Sequence, residues 1–193
     1  MQKLTRNDLF SLENYAVERA AFKARVLAHK RNRKVALGAH VSLLFEDRLT
    51  IQYQIQEMLR IERIFEAAGI QEELDSYNPL IPDGRNLKAT MLIEYDDVEM
   101  RKTELEKLLR IEDHITASVD GHPTISAIAD EDMERSNDTK TSAVHFLRFE
   151  FTEPMIASAR SGAAMSIAST HPHCALSTEI TGDTRAALLA DFD

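Results

Sequence analysis

Three features of the sequence predict an α+β fold with a mainly antiparallel sheet. Leu87, Ala89, Met91, Ile93 and Tyr95 alternate with Lys88, Thr90, Leu92 and Glu94, the pattern of a strand with one buried and one partly wet face. Ile115 to Val119 and Pro123 to Ile128 flank Asp120-Gly121, a dipeptide suited to a two-residue type I′ hairpin turn. Between Gly38 and Gly69 a short strand, Val41 to Phe45, passes into a long helix. Strand, helix and hairpin follow without a regular βαβ series, so a long N-terminal helix and a central helix are expected on an antiparallel sheet. The hairpin and the strand at Leu87 to Tyr95 are expected in one sheet. No repeat or low-complexity linker divides the chain, and residues 1–193 read as a single domain.

Taken in order, Ser11-Leu12-Glu13-Asn14 opens a long helix to about Arg31, with Tyr15, Ala16, Phe22, Val26 and Leu27 as its apolar contacts. Lys34 to Leu37 leads into a turn at Gly38. Asp47 is a good N-cap for the central helix, which Gly69 is expected to end just past Ala68. At about 100° per residue, Ile51, Ile55, Met58 and Phe65 share a stripe with Glu62 at its centre, while Glu57 points away. A carboxylate in such a stripe has to be paired, hydrogen-bonded or protonated, either structurally or as part of a site. Two prolines and Asp83-Gly84 set a loop before the alternating strand, and Asp96 or Asp97 caps a further helix carrying Val98, Leu105, Leu108 and Leu109. Ala129 to Thr141 has no periodic apolar face and several acids, which suits a loop that orders on binding. Ala143 to Phe151 is a strand whose apolar face holds His145 with Leu147, Phe149 and Phe151. A short helix from Thr152 to Ser161, strands at Ala164 to Ser169 and Ala175 to Ile180, and a helix opening near Thr181 complete the chain.

Composition limits the function classes. Hydrophobic residues make up 44% and charged ones 28% of 193 residues, with no long apolar run and no signal-type amino terminus, so a cytoplasmic protein that does not enter a membrane is expected. The single cysteine, Cys174, allows no internal disulfide and no iron–sulfur cluster held by this chain's thiolates alone. The net charge of -9 conceals an asymmetry: residues 1 to 34 hold nine Lys or Arg against three acids, a charge of +6, and the remainder carries -15. Nucleic acid is a poor partner for so acidic a chain with few aromatic side chains near its basic cluster. That cluster, with Arg25, Lys30, Arg31 and Arg33, is either a solvated helix face that offsets the helix dipole or a docking surface for an acidic partner.

No GxSxG, P-loop, GxGxxG or HExxH motif is present, so the sequence names no reaction. Glu57, Glu62 and Glu66 lack the Glu-x-x-His pairing of a di-iron bundle. His171-Pro172-His173-Cys174 is a local group of soft ligands that needs a third ligand from elsewhere to hold a metal, and otherwise reads as a polar connection. His40, Glu57, Glu62 and His145 form the candidate polar or metal site, provided that folding brings them together.

The runs Leu37-Gly38 through His40, Phe45-Glu46, Gln54-Ile55-Gln56-Glu57-Met58, Glu62-Arg63-Ile64, Tyr77-Asn78-Pro79-Leu80-Ile81-Pro82 and Ser142-Ala143-Val144-His145-Phe146 resemble a bacterial family of unknown function, domain-of-unknown-function family 3501, over nearly the whole chain. The resemblance implies no activity. It implies a redox or oxidative-stress setting, because members are often encoded beside a rubrerythrin-like protein and a cysteine-rich iron–sulfur oxidoreductase. Two functions follow as expectations: an accessory or binding protein acting with those redox proteins, or a metal-binding protein or enzyme with a His/Glu site.

Overall fold

The computed structural model describes residues 1–131, 133, 135–137 and 139–192. Helix α1 (Leu12–Arg31) and strands β1 (Lys34–Leu37) and β2 (Val41–Phe45) are followed by helices α2 (Arg48–Glu62) and α3 (Ala67–Tyr77). Strand β3 (Asn86–Ile93), helix α4 (Val98–Lys107), strands β4 (Ile115–Val119), β5 (Ile125–Ser126), β6 (Ile128–Ala129) and β7 (Val144–Glu150) come next. Helix α5 (Glu153–Arg160), strands β8 (Met165–His171) and β9 (Cys174–Ile180), and helix α6 (Gly182–Leu189) close the chain. The fold is α+β.

The strands form two antiparallel sheets, ordered β1-β2-β3-β7-β6 and β5-β4-β8-β9. The Asp120-Gly121 hairpin and the alternating strand β3 therefore lie in different sheets, contrary to the single sheet expected from the sequence. Both sheets have an apolar inner face, and the two faces bury each other: Leu43, Leu87, Met91, Leu147 and Phe149 of the first belong to one core with Ile115, Val119, Met165 and Ile167 of the second. The chain changes sheets within β5–β6. Ile125 and Ser126 pair with β4, Ala127 donates its N–H to Ile115 O at 2.9 Å, and Ile128 and Ala129 pair with β7. On the other side, Thr178 Oγ1 of β9 donates to Ala36 O of β1 at 2.6 Å. The hairpin turn is not type I′, since Gly121 takes φ 83 while Asp120 is not in the positive-φ region.

Helices α1 to α3 stand outside the first sheet. Tyr15, Phe22 and Val26 form the buried stripe of α1, whereas Leu27 is exposed. Helix α2 begins at Asp47, whose side chain accepts from Thr50 N, and buries Ile51, Ile55 and Leu59 against Leu74 of α3, Leu4 and Ile81. It ends at Glu62 rather than at Ala68. Arg63 takes the left-handed conformation at φ 56 and ψ 46, and Ile64 N–H returns to Leu59 O, closing the helix with a Schellman-type turn. Gly69 lies inside α3, and Phe65 in the short connection is 64% exposed instead of buried. No helix among the described residues is long and apolar enough to cross a membrane.

Candidate functional site

The alternation of β7 turns His145 inward with Leu147 and Phe149, and its side chain is wholly buried. The pairing of β6 with β7 brings the chain just beyond Ala129 opposite Phe146, where Asp130 N–H bonds Phe146 O at 2.8 Å and Asp130 Oδ1 accepts from Phe146 N at 2.9 Å. Asp130 sits at φ 48, a left-handed conformation that Asp tolerates better than most residues. Its other oxygen, Oδ2, lies 2.6 Å from His145 Nδ1. A carboxylate only accepts, so Nδ1 carries the hydrogen of that bond.

The opposite ring nitrogen, Nε2, faces Thr141 Oγ1 at 2.8 Å, the Ser142 carbonyl oxygen at 3.1 Å and Glu112 Oε2 at 3.6 Å. Glu112 comes from the 3-10 turn Ile111–His114 that leads into β4. Its Oε2 accepts from Thr141 Oγ1 at 3.0 Å, and its Oε1 accepts from the Ser136 hydroxyl. Glu112, Ser136, Thr141 and His145 are all buried, and ligand atoms of Glu112, Asp130 and His145 lie within 4.8 Å of one another. The Ser142 carbonyl and the Glu112 carboxylate offer lone pairs and no hydrogen. The Thr141 hydroxyl has one hydrogen to give, to Nε2 or to Glu112 Oε2, so acceptors outnumber donors around this point. On the rim, Arg135 Nη1 reaches Asp130 Oδ1 at 3.4 Å while its guanidinium lies 4.6 Å from the Phe146 ring centre.

Of the four residues singled out from the sequence, only His145 belongs to this cluster. His40 is exposed in the β1–β2 turn, bonded to Glu94 O at 2.9 Å and stacked on Tyr95 with ring centres 4.0 Å apart. Glu62 is exposed, because α2 ends on it. Glu57, expected to point away, is the enclosed carboxylate of that helix: Tyr15 Oη donates to it at 2.7 Å, and Arg19 donates through Nε at 2.7 Å and Nη2 at 2.8 Å. The Arg19 hydrogen bonds, aided by Tyr15 and Arg60 against the effect of burial, pull its pKa down to about 2.

Arg25 and Arg31 are exposed, with the Arg25 guanidinium 4.9 Å from the Phe22 ring centre, and Lys30 is half-buried near Tyr53. Arg33 departs from the expected basic surface. It is 2% exposed, donating to Phe45 O at 2.9 Å and pairing with the Asp191 carboxylate. In the His171-Pro172-His173 run, His171 is used on both sides, its Nε2 bonding Leu109 O at 3.2 Å and its Nδ1 accepting from His173 N at 3.3 Å. No ring nitrogen of His171 is left for a metal, and burial pushes its pKa down. The segment from Ala129 to Thr141, expected as a loop, buries Ser136 and Thr141; of its acids, Asp132, Glu134 and Asp138 lie outside the described residues.

Glu112, Asp130, Ser136 and Thr141 were not among the residues singled out. The only trace of them in the sequence is Glu112 close behind the apolar residues Leu108, Leu109 and Ile111, and it does not identify a partner.

A model of the family described as "Protein of unknown function (DUF3501)" matches residues 3–192. The chain belongs to this family. A crystal structure described as that of a novel protein of unknown function from Burkholderia pseudomallei K96243 is similar over 100% of both chains at 51% identity with a TM-score of 0.94. No curated protein matches the sequence.

Proposed function

We propose that this DUF3501 protein is a metal-binding accessory protein of a bacterial, cytoplasmic redox or oxidative-stress system, acting with an iron–sulfur oxidoreductase and a rubrerythrin-like protein. The observation that carries the metal reading is a set of four atoms: His145 Nε2 lies 2.8, 3.1 and 3.6 Å from Thr141 Oγ1, Ser142 O and Glu112 Oε2, and Thr141 Oγ1 lies 3.0 Å from Glu112 Oε2. Bonds of about 2.1 Å to a divalent ion place neighbouring ligands about 3.0 to 3.4 Å apart. One imidazole with three oxygens suits Mn²⁺, Fe²⁺ or Zn²⁺. Asp130 on Nδ1 supplies the carboxylate that orients a metal-bound histidine, and Ser136 fixes the outer oxygen of Glu112.

The partner reading rests on the family's gene neighbourhood and on the basic end of α1. With one buried thiol, the chain fits a partner that brings its own cluster. Arg25, Lys30 and Arg31 are the residues for an acidic partner, and Arg33 is withdrawn from that set by its burial.

Protein purified without a chelating tag, stripped with EDTA and titrated calorimetrically with Mn²⁺, Fe²⁺ and Zn²⁺ tests the metal reading. One ion per chain is expected, with affinity at least about 10-fold lower in Glu112→Gln, whose shape is kept. No uptake by the parent, or undiminished uptake by a folded Glu112→Gln protein, overturns it.

A further inference from the structure

The outer face of the first sheet carries a neighbouring acid and base that do not pair. Register places Lys88 opposite Arg148 and Thr90 opposite both Leu44 and Phe146; Glu46, one residue past β2, donates its N–H to Lys88 O at 2.8 Å. Opposite charges at such cross-strand positions ordinarily attract each other into contact. Here the Glu46 carboxylate, 8% exposed as a residue, accepts from Thr50 Oγ1 at 2.5 Å and Thr90 Oγ1 at 2.7 Å. The Lys88 ammonium turns the other way and donates to the Pro79 carbonyl. Among the described residues, no ion pair joins either group to an opposite charge. A carboxylate with two hydroxyl donors still has lone pairs to offer, and an ammonium with one acceptor still has two hydrogens.

Between the sheet and the α2–α3 layer lie two adjoining cavities, of about 260 Å³ beside Glu46 and about 380 Å³ beside Lys88. They share Tyr77, Leu80 and Phe146 as walls, and Met58 lines the larger one. The larger cavity also meets Arg148 and Arg135, but these already hold Glu131 and Asp130. Burial foremost lowers the pKa of Lys88, against the raising effect of Asp83, Glu131 and Glu150, none of which is in contact with it as an ion pair.

We propose that this cleft binds a free amino acid with an apolar side chain, its ammonium group at Glu46, its carboxylate at Lys88 and its side chain against Met58, Leu80 and Phe146. The ammonium supplies the donors that Glu46 lacks, beside the Tyr77 and Phe146 side chains that line the same space. A simple anion brings no donor to Glu46, and a simple amine brings no acceptor to Lys88. The enclosed space suits a small organic ligand. This cleft lies on the opposite face of the sheet from His145, so it is independent of the metal reading.

The test is calorimetry with L-leucine and L-methionine, alongside 4-methylpentanoate, which lacks the amine of leucine, and 3-methylbutylamine, which lacks its carboxylate. Saturable binding of an amino acid is expected, with each single-charge analogue about tenfold weaker or worse, equivalent to about 1.4 kcal/mol. Glu46→Gln and Lys88→Met should each weaken amino-acid binding by at least about tenfold while the uptake of Mn²⁺, Fe²⁺ or Zn²⁺ keeps its parental value. Lys88→Met, at a half-exposed position, remains decisive where Glu46→Gln lowers the melting temperature. No saturable binding of either amino acid up to about 10 mM, equal binding of a single-charge analogue, or undiminished binding by Lys88→Met overturns the proposal.

Discussion

Tyr15, Arg19 and Glu57 fasten α1 to α2 through one carboxylate that accepts three hydrogen bonds from α1, two of them from the Arg19 guanidinium. Because Glu57 has a folded pKa of about 2 against an ordinary 4.5, it binds protons more readily in the unfolded chain. Its contribution to stability is therefore complete above 4.5 and is lost as the pH falls from there towards 2. Glu57→Gln is expected to cost about 1 to 3 kcal/mol at pH 7, the range for a hydrogen bond to a charged group. Urea melts at pH 7, 4 and 3 should show the gap between parent and variant narrowing in acid. A gap that stays constant to pH 3 would mean that the charge of Glu57 contributes nothing.

At the scale of elements, the end of α2 decides how the two helices meet. Arg63 occupies a left-handed position that costs an L-residue with a Cβ about 1 kcal/mol and costs glycine little. Arg63→Gly should accordingly stabilise the fold, somewhat less than that figure because glycine also frees the unfolded chain. Phe65→Ala, two residues on, should change stability by less than about 0.5 kcal/mol because its ring is largely solvated. Chemical denaturation of both variants checks the pair, and a large loss in Phe65→Ala would require a packed ring. The sequence offered Gly69 as the better stop signal, and arginine in a left-handed turn leaves no local mark, so the break at Glu62 was not legible. Strands β3, β4 and β7 were legible because alternation has a physical cause, one buried face, and β2 because a short apolar run leads directly to the Asp47 cap. Strand β1 has only four residues and β5 and β6 two each, too few for a period to register. Of the candidate site, His145 could be read from its place on the apolar face of β7. Glu112 and Asp130 could not, because they stand in aperiodic connections: Asp130 meets His145 only once the two-residue β6 pairs with β7, and Glu112 only through the packing of the two sheets.

For the molecule as a whole, Arg33 and Asp191 join the first strand to the residues beyond the last helix. Burial, more than the opposing hydrogen bond from Arg33, pushes the pKa of Asp191 up to about 6 from 3.8. A raised folded pKa means that this group's contribution is complete below 3.8 and is lost as the pH rises through about 6. Asp191→Asn removes that dependence, so the stability of the parent relative to the variant should fall as melts move from pH 4 to pH 7. A difference that rises over that interval would show the Arg33 contact outweighing burial. The two-sheet arrangement itself escaped the sequence, since Pro123 to Ile128 reads as one strand although Ala127 divides it between two sheets. That crossing at Ala127, with the Thr178 hydroxyl on the Ala36 carbonyl at the opposite side, also leaves little open margin for an incoming strand to extend either sheet. On the proposed reading, the exposed face of α1 would then be recognised through its side chains rather than by strand addition.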